Sequence, residues 1–338
     1  MASVDPKTKT TYATTDWAHY QEGRPRYPRS LNKIIYSYRQ HHPNARWERL
    51  VDIGAGSGVA ATSFMADFEV VQVSDPSPAN LDQARVFLPD WAQRHGLATR
   101  LEYSQSTGEE AYRHVGEGQA DLVICATAAH FMDPDGLVAS IAKMLRPGGT
   151  LAVFSYWMPT FPGGSQRFRD AFARAVDALI LKPLSSAGDS SRARLAQAIA
   201  RRMAGNGTLD SLPLPEELYD DPVRVYINHD DSGGTAYRTL FLKYAPADLQ
   251  PTRISRVSPR DRIVSYCTGV DTEAEGWAFD VDKKWLQGFF DTIRPPNQAS
   301  DDQSSEAQTE WEHVFDSECP SGTVRVVWPA YVVLATRK

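Results

Sequence analysis

With 338 residues, 42% of them hydrophobic, the chain can bury a full core, which excludes wholesale disorder. Its formal charge of −6, from 36 basic and 42 acidic residues, offers no overall positive field to nucleic acid or an anionic membrane, so small-molecule chemistry is the default. Cys125, Cys267 and Cys319 are odd in number and form no zinc-binding spacing, Met1 to Lys7 hold no apolar signal core, and no stretch reaches the eighteen or so apolar residues of a membrane span; a soluble, cytoplasmic protein without a metal is expected.

In chain order, residues 1–15 are polar and threonine-rich, which suggests a mobile tail. Trp17, Tyr20 and Tyr27 follow among Arg24, Pro25, Arg26 and Pro28, where the prolines confine helix to short pieces until Leu31 to Arg39. Leu50 to Ile53 reads as a strand running into a glycine loop, and Val59 to Ala66 as a helix. Val70 to Asp75 is a second strand, Pro78 to Leu88 a helix, Leu101 to Ser104 a third strand. Asp121 to Ala126 is the near-continuous apolar run of a parallel strand covered on both faces. Leu137 to Leu145 is a helix stopped by Arg146-Pro147-Gly148-Gly149, and Leu151 to Tyr156 is a fifth strand. Alternating strands and helices predict an α/β fold with a doubly wound, mostly parallel sheet.

From Ser165 onward Phe168, Phe172, Val176 and Leu179 share a helical face, and Leu195, Ile199 and Met203 mark a second helix from Ser191. Strand-like runs return at Val223 to Ile227 and Thr239 to Tyr244, followed by helices near Arg260 to Thr268 and Asp282 to Thr292. The polar segment from Pro295 reads as a flexible linker, Trp311 to Phe315 as a last helix, and Thr323 to Leu334 as a final strand returning to the sheet. The expected organisation is an N-terminal tail and helical lid over 1–47 and a core over 48–156. A mainly helical, substrate-covering lobe spans 157–300, with a core strand near 222–228 and a linker at 295–307. A helix and strand over 308–338 complete the sheet.

Chemistry concentrates in Asp52-Ile53-Gly54-Ala55-Gly56-Ser57-Gly58. Glycines between a strand and a helix let backbone N–H groups approach a ligand that a Cβ would block. Dinucleotide enzymes use GxGxxG, whose third glycine would fall at Val59; this loop is spaced Asp-x-Gly-x-Gly-x-Gly instead. Asp52 can hold a ligand's ammonium, and Asp75 can accept ribose hydroxyls. A plain tight turn and a nicotinamide-dependent dehydrogenase remain open on the loop alone.

Asp52, the three glycines, Asp75 and Leu145-Arg146-Pro147-Gly148-Gly149-Thr150 together resemble the class I S-adenosylmethionine-dependent methyltransferase pattern over residues 50–156. Tyr20 with Arg24-Pro25-Arg26-Tyr27-Pro28, Ala129-His130-Phe131-Met132-Asp133, Tyr156-Trp157-Met158-Pro159-Thr160-Phe161-Pro162, the basic run Ser191 to Leu195 and Val264 to Thr268 are similar to the fungal trans-aconitate methyltransferase-like family. The resemblance implies a Rossmann-like, seven-stranded sheet and in-line transfer of a methyl group from S-adenosylmethionine to a small molecule, a carboxylate or an oxygen, nitrogen or sulfur nucleophile. S-adenosylhomocysteine is then the product, and the chain is a monomer or homodimer. The rival within the same fold is a protein that keeps the cofactor for another reaction or for regulation.

Carried onto this sequence, the resemblance implies cofactor contacts at Tyr20, Asp52, Gly54, Ala55, Gly56, Gly58, Asp75, Pro76, Ser106, Thr107, Ala126 and Thr127, and substrate contacts at Tyr27, His130, Trp157 and Tyr266. Ser106-Thr107-Gly108 departs from the Gly-Asp-Ala common in the class, so the adenine falls to Thr107, to Glu109 or to backbone groups, with Glu109 equally readable as a surface charge. His130 reads as a general base or a positioning donor, or as a structural histidine of the turn. Tyr20, Tyr27 and Trp157 read either as ligand walls or as packing. Arg192, Arg194, Arg201 and Arg202 form a basic face, which a solvated helix explains better than an acidic substrate does.

Overall fold

The computed structural model describes residues 17–42, 45–181, 207–229, 255–293 and 302–338. The expected tail before residue 16, the helix from Ser191 with its arginines, and the strand at Thr239 to Tyr244 lie outside the described residues. Ten strands are described: β1 (Arg49–Ile53), β2 (Val70–Asp75), β3 (Arg100–Gln105), β4 (Ala120–Ala126), β5 (Leu145–Tyr156), β6 (Tyr219–Ile227), β7 (Arg262–Tyr266), β8 (Ala278–Asp282), β9 (Thr323–Val327) and β10 (Ala330–Arg337). Eight form one sheet in the order β3-β2-β1-β4-β5-β10-β6-β7, with β10 antiparallel to both neighbours and every other pairing parallel. The chain order reverses between β1 and β4, which opens a crevice at their carboxyl ends.

The helices are α1 (Trp17–Glu22), α2 (Arg29–Gln40), α3 (Val59–Thr62), α4 (Pro78–Arg94), α5 (Tyr112–Val115), α6 (Pro134–Met144), α7 (Gln166–Val176), α8 (Lys283–Ile293) and α9 (Asp302–Glu318). Three starts follow directly from the sequence. Ser77, Asp133 and Ser165 cap α4, α6 and α7, each side chain accepting the backbone N–H three residues on, and the first two helices have proline at their first position. β1 and β4 are buried along almost their whole length, as strands between two helical layers must be.

Several expectations are corrected. The sheet has eight strands, because Arg262–Tyr266, expected to be helical, pairs in parallel with β6. The lobe after Trp157 is therefore mixed: it also holds β8, which pairs with β9 in a separate two-stranded sheet. The final strand is two, divided at Trp328-Pro329; proline has no N–H to continue a ladder. Residues 302–307, expected within a linker, begin α9, whose Trp311 and Phe315 pack on Phe172 and Phe168 of α7. The helix after the glycine loop is a single turn, and the Pro147-Gly148-Gly149 segment lies inside β5, where Gly148 takes φ +82° and the pairing with β4 shifts register.

The N-terminal arm closes on the lobe. Gly23 faces Gly288 of α8 so closely that a Cβ on Gly23 would lie 2.5 Å from the Gly288 carbonyl oxygen. Arg24 donates to the Thr292 carbonyl at 2.9 Å, its guanidinium 4.8 Å from the Tyr20 ring centre, and Ser30 donates to the Glu275 carbonyl at 2.6 Å. Through Tyr27, whose hydroxyl lies 3.1 Å from that of Thr127 just past β4, the same arm also reaches the carboxyl edge of the sheet.

Buried charges pin two loops. Arg39 is fully buried, donates to the carbonyls of Asp121 and Arg46, and stacks its guanidinium over Trp47; burial pulls it down to about 10. Arg224 on β6 is likewise buried, paired to Asp261 at 2.6 Å and donating to the carbonyls of Leu209 and Leu212.

Candidate active site

The loop leaving β1 has the backbone that its glycines predict: Gly54, Gly56 and Gly58 take φ of +64°, +58° and +86°. The N–H groups of Gly54 and Ala55 return to the Ser74 carbonyl at 2.8 and 3.1 Å, which folds the loop back over β2. A Cβ on Gly54 would lie 2.7 Å from Ala128 Cβ, and one on Gly58 2.7 Å from Leu88. These glycines thus serve both the turn and close approach.

Asp52 is wholly buried beneath this loop, and neither carboxylate oxygen has a hydrogen-bond partner. Burial pushes its acid up to about 8; the Ala61 amide opposes the rise without reaching hydrogen-bond geometry, and the Asp75 charge adds to it. A buried, unsatisfied carboxylate is costly unless a donor or cation completes it.

Asp75 is treated differently. Its Oδ2 accepts the Gly56 N–H at 2.9 Å, while Oδ1 accepts the Ser77 N–H at 2.9 Å and the Asn80 amide at 3.0 Å. Burial raises its acid too, against those three bonds. The result locks the glycine loop to the start of α4. Asn80 was not singled out from sequence, though its place in the first turn after the Ser77-Pro78 start is a readable signal.

β4 ends at Ala126, and Thr127 takes φ +52°, a strained conformation for a β-branched residue. Its N–H is held by the Phe154 carbonyl at 2.8 Å, and its hydroxyl lies 3.1 Å from the Tyr27 hydroxyl. The Tyr27 ring packs edge-on against Phe154, 5.2 Å between centres. Burial, with smaller contributions from Tyr156, Tyr20 and Asp52, holds the Tyr27 phenol well above its ordinary range, so it stays neutral. Tyr27 therefore joins the arm to the ends of β1, β4 and β5 at one point. No pattern in the sequence announces the Thr127 dihedral.

The remaining expected residues divide. Ser106 lies beside Asp75, donating its N–H to the Asp75 carbonyl at 3.2 Å, and its hydroxyl donates to the Thr107 carbonyl at 2.9 Å; Pro76 is next door, its carbonyl bonded by Gln105. Glu109 is a brace: its carboxylate accepts the Asp133 N–H at 2.8 Å, tying the loop after β3 to the turn carrying His130. His130 sits in a short 3-10 turn at the end of β4, 4.0 Å between ring centres from Phe131, which is exposed. Trp157 is buried, its backbone N–H bonded to the Pro329 carbonyl at 2.8 Å, with Gly207 against its ring. Tyr266 ends β7 on the same sheet edge but four strands from β4, so it is not brought together with the loop.

Three comparisons bear on this geometry. The methyltransferase domain family model matches residues 51–153. Over almost its whole length the chain is similar to methyltransferase ptaI of Pestalotiopsis fici, 26% identical over 95% of this chain and 93% of that one. It is similar also to methyltransferase gedG of Aspergillus terreus, 28% identical over 95% of this chain and 91% of that one. Among solved structures, a protein of Anaeromyxobacter dehalogenans provisionally assigned as a type II methyltransferase shares the fold, with a TM-score of 0.50 and 17% identity over 93% of this chain and 97% of that one. The fold is the Rossmann-like fold of class I methyltransferases, and the chain is a methyltransferase. Among the described residues no helix is long and apolar enough to cross a membrane.

Gly54→Ala is expected to remove ligand binding while leaving the sheet intact. The left-handed backbone costs an L-residue about 1–2 kcal/mol, and the added Cβ meets Ala128. At least tenfold weaker binding of S-adenosylhomocysteine with an unchanged circular dichroism spectrum is the expected pair of results; native affinity in the variant would contradict the loop's role.

Proposed function

We propose that the chain transfers a methyl group from S-adenosylmethionine to a small-molecule acceptor, as a cytoplasmic member of the fungal trans-aconitate methyltransferase-like family. The observation that carries this is the Asp52 carboxylate, buried and unsatisfied behind three left-handed glycines. S-adenosylmethionine fits it: its ammonium supplies the missing cation. The bound cofactor supplies a methyl carbon already activated by its sulfonium.

This chain's residues then bind, orient and exclude water. Asp52 takes the ammonium, with Gly54, Ala55, Gly56 and Gly58 lining the approach. Asp75 receives the ribose; since Oδ1 already accepts two donors and Oδ2 one, Oδ2 retains room for one hydroxyl directly. Pro76, Ser106 and Thr107 border the base, and Ala126 and Thr127 the methionine end. Tyr20 and Tyr27 close the arm over that end, and Trp157 walls the acceptor side.

His130 takes the proton of a hydroxyl, phenol or amine acceptor, whereas a carboxylate or thiolate needs none removed. His130→Ala should lower kcat by about 100-fold or more on a hydroxyl acceptor. Undiminished kcat on such an acceptor would discard the base role. The function as a whole is tested by incubating the protein with methyl-labelled S-adenosylmethionine and panels of acids, phenols, thiols and amines. Label in at least one small-molecule product is expected; S-adenosylhomocysteine binding with no transfer across all panels would overturn the acceptor reading.

A further inference from the structure

The turn that carries His130 is held at both ends. Its far end is fixed by Glu109, which accepts the Asp133 N–H at 2.8 Å. Its near end is Thr127. Among the described non-glycine residues with positive φ, the other two are Asp221 and Asn228, types that tolerate a left-handed backbone, whereas Thr127 is β-branched and needs an outside hold. Two bonds supply it: the Thr127 N–H to the Phe154 carbonyl at 2.8 Å, and the hydroxyl pair with Tyr27 at 3.1 Å. The first comes from the neighbouring strand, the second from the N-terminal arm. Between the two ends runs one 3-10 turn, Ala129–Phe131, closed by the Phe131 N–H to the Ala128 carbonyl at 3.0 Å and the Met132 N–H to the Ala129 carbonyl at 3.1 Å.

This turn has little slack against the glycine loop. A Cβ on Gly54 would lie 2.7 Å from Ala128 Cβ and 3.0 Å from Met132 Cε. A rotation at Thr127 swings every residue after it, so it moves His130 relative to the loop above Asp52. Tyr27, in turn, is placed by the lobe. Arg24 donates to the Thr292 carbonyl, Ser30 to the Glu275 carbonyl, and a Cβ on Gly276 would lie 2.6 Å from Pro28 Cβ. The Tyr27 ring is already seated by Phe154 and Tyr156, at 5.2 and 6.3 Å between centres. Packing alone would use only the ring, yet the hydroxyl meets the one strained residue of the turn.

We propose that Tyr27 is a positioning residue: its hydroxyl clamps Thr127 in the left-handed conformation and so sets the turn that aims His130. Docking of the arm on the lobe and alignment of His130 are then one event. The role of His130 rests on the methyltransferase reading above, whereas the clamp itself is a property of the folded chain alone.

The test uses the ligand-free full chain and reads two signals by nuclear magnetic resonance: amide hydrogen exchange at Thr127, Phe131 and Met132, and the imidazole Hε1 resonance of His130, identified by its loss in His130→Ala. Tyr27→Phe, which keeps the ring, should speed exchange at those amides about three- to tenfold, the range a neutral hydrogen bond spans, and shift the His130 resonance. The interior amides of β4 should be unchanged. Thr127→Val, which removes the other hydroxyl of the pair, should reproduce both effects. Adding Thr127→Asn to Tyr27→Phe should restore both signals, because asparagine tolerates the left-handed backbone without a clamp. A substitution in the turn would not repair a loss that came only from a loosened arm. Unmoved signals in Tyr27→Phe, a change that Thr127→Val does not reproduce, faster exchange spread evenly over β4 in both, or a change that Thr127→Asn leaves in place would overturn the proposal. Failure of S-adenosylhomocysteine to bind, or of label to transfer, would instead strike the methyltransferase reading, since neither enters these measurements.

Discussion

Asp52→Asn should make the ligand-free protein more stable at alkaline pH and at the same time cost it S-adenosylmethionine. In the folded chain Asp52 keeps its proton up to about pH 8, against an ordinary value of 3.8 in the unfolded chain. Between those values the folded state holds the extra proton. Stability therefore falls as pH rises through that window, by at most about 1.4 kcal/mol per pH unit, and levels off above pH 8. Asparagine cannot ionise, so the variant should lack this slope and exceed the parent in denaturant midpoint at pH 9. Its affinity for S-adenosylmethionine should drop at least tenfold, because a carbonyl replaces the carboxylate proposed to meet the ammonium. In the parent, ligand binding below pH 8 should also release close to one proton, visible as a dependence of calorimetric enthalpy on buffer ionisation; the variant should release none. Parallel pH–stability curves for the two proteins would refute the assignment of this carboxyl.

A second large effect is expected far from the ligand. Asp261→Ala strands the fully buried Arg224 guanidinium, whose remaining hydrogen bonds go to the neutral Leu209 and Leu212 carbonyls. Breaking one side of a buried ion pair costs about 3–5 kcal/mol, because the remaining charge is left uncompensated. Asp210, 4.0 Å from Arg224, cannot replace a bond of 2.6 Å without moving its loop. Guanidinium unfolding at neutral pH measures the loss, and Arg224→Met combined with Asp261→Leu should recover most of it. A loss below about 1 kcal/mol in the single variant would place the pair among the weak surface bridges.

The legible part of the chain is the part where one residue type has one physical use. Gly54, Gly56 and Gly58 sit where a left-handed backbone is required, and the apolar run from Asp121 to Ala126 reads as a strand covered on both faces, which it is. Residues 262–266 read as helix from sequence because β7 is an edge strand: Arg262, Ile263 and Ser265 are exposed, so no fully buried face marks a strand. Residues 302–307 look like linker because the apolar anchors of α9 begin only at Trp311. Tyr27 and Thr127 were named from sequence, yet their mutual contact depends on a positive φ at a threonine, which local preference argues against. His229 and Tyr331 are separated by about a hundred residues and meet only because β10 inserts between β5 and β6.

The central claim is that the glycine loop and Asp52 receive S-adenosylmethionine and not a dinucleotide. Isothermal titration at pH 7 with S-adenosylhomocysteine and, separately, with NAD tests it directly. Saturable binding of S-adenosylhomocysteine with one-to-one stoichiometry and no heat from NAD is the predicted result. Tight binding of NAD with no response to S-adenosylhomocysteine would contradict it.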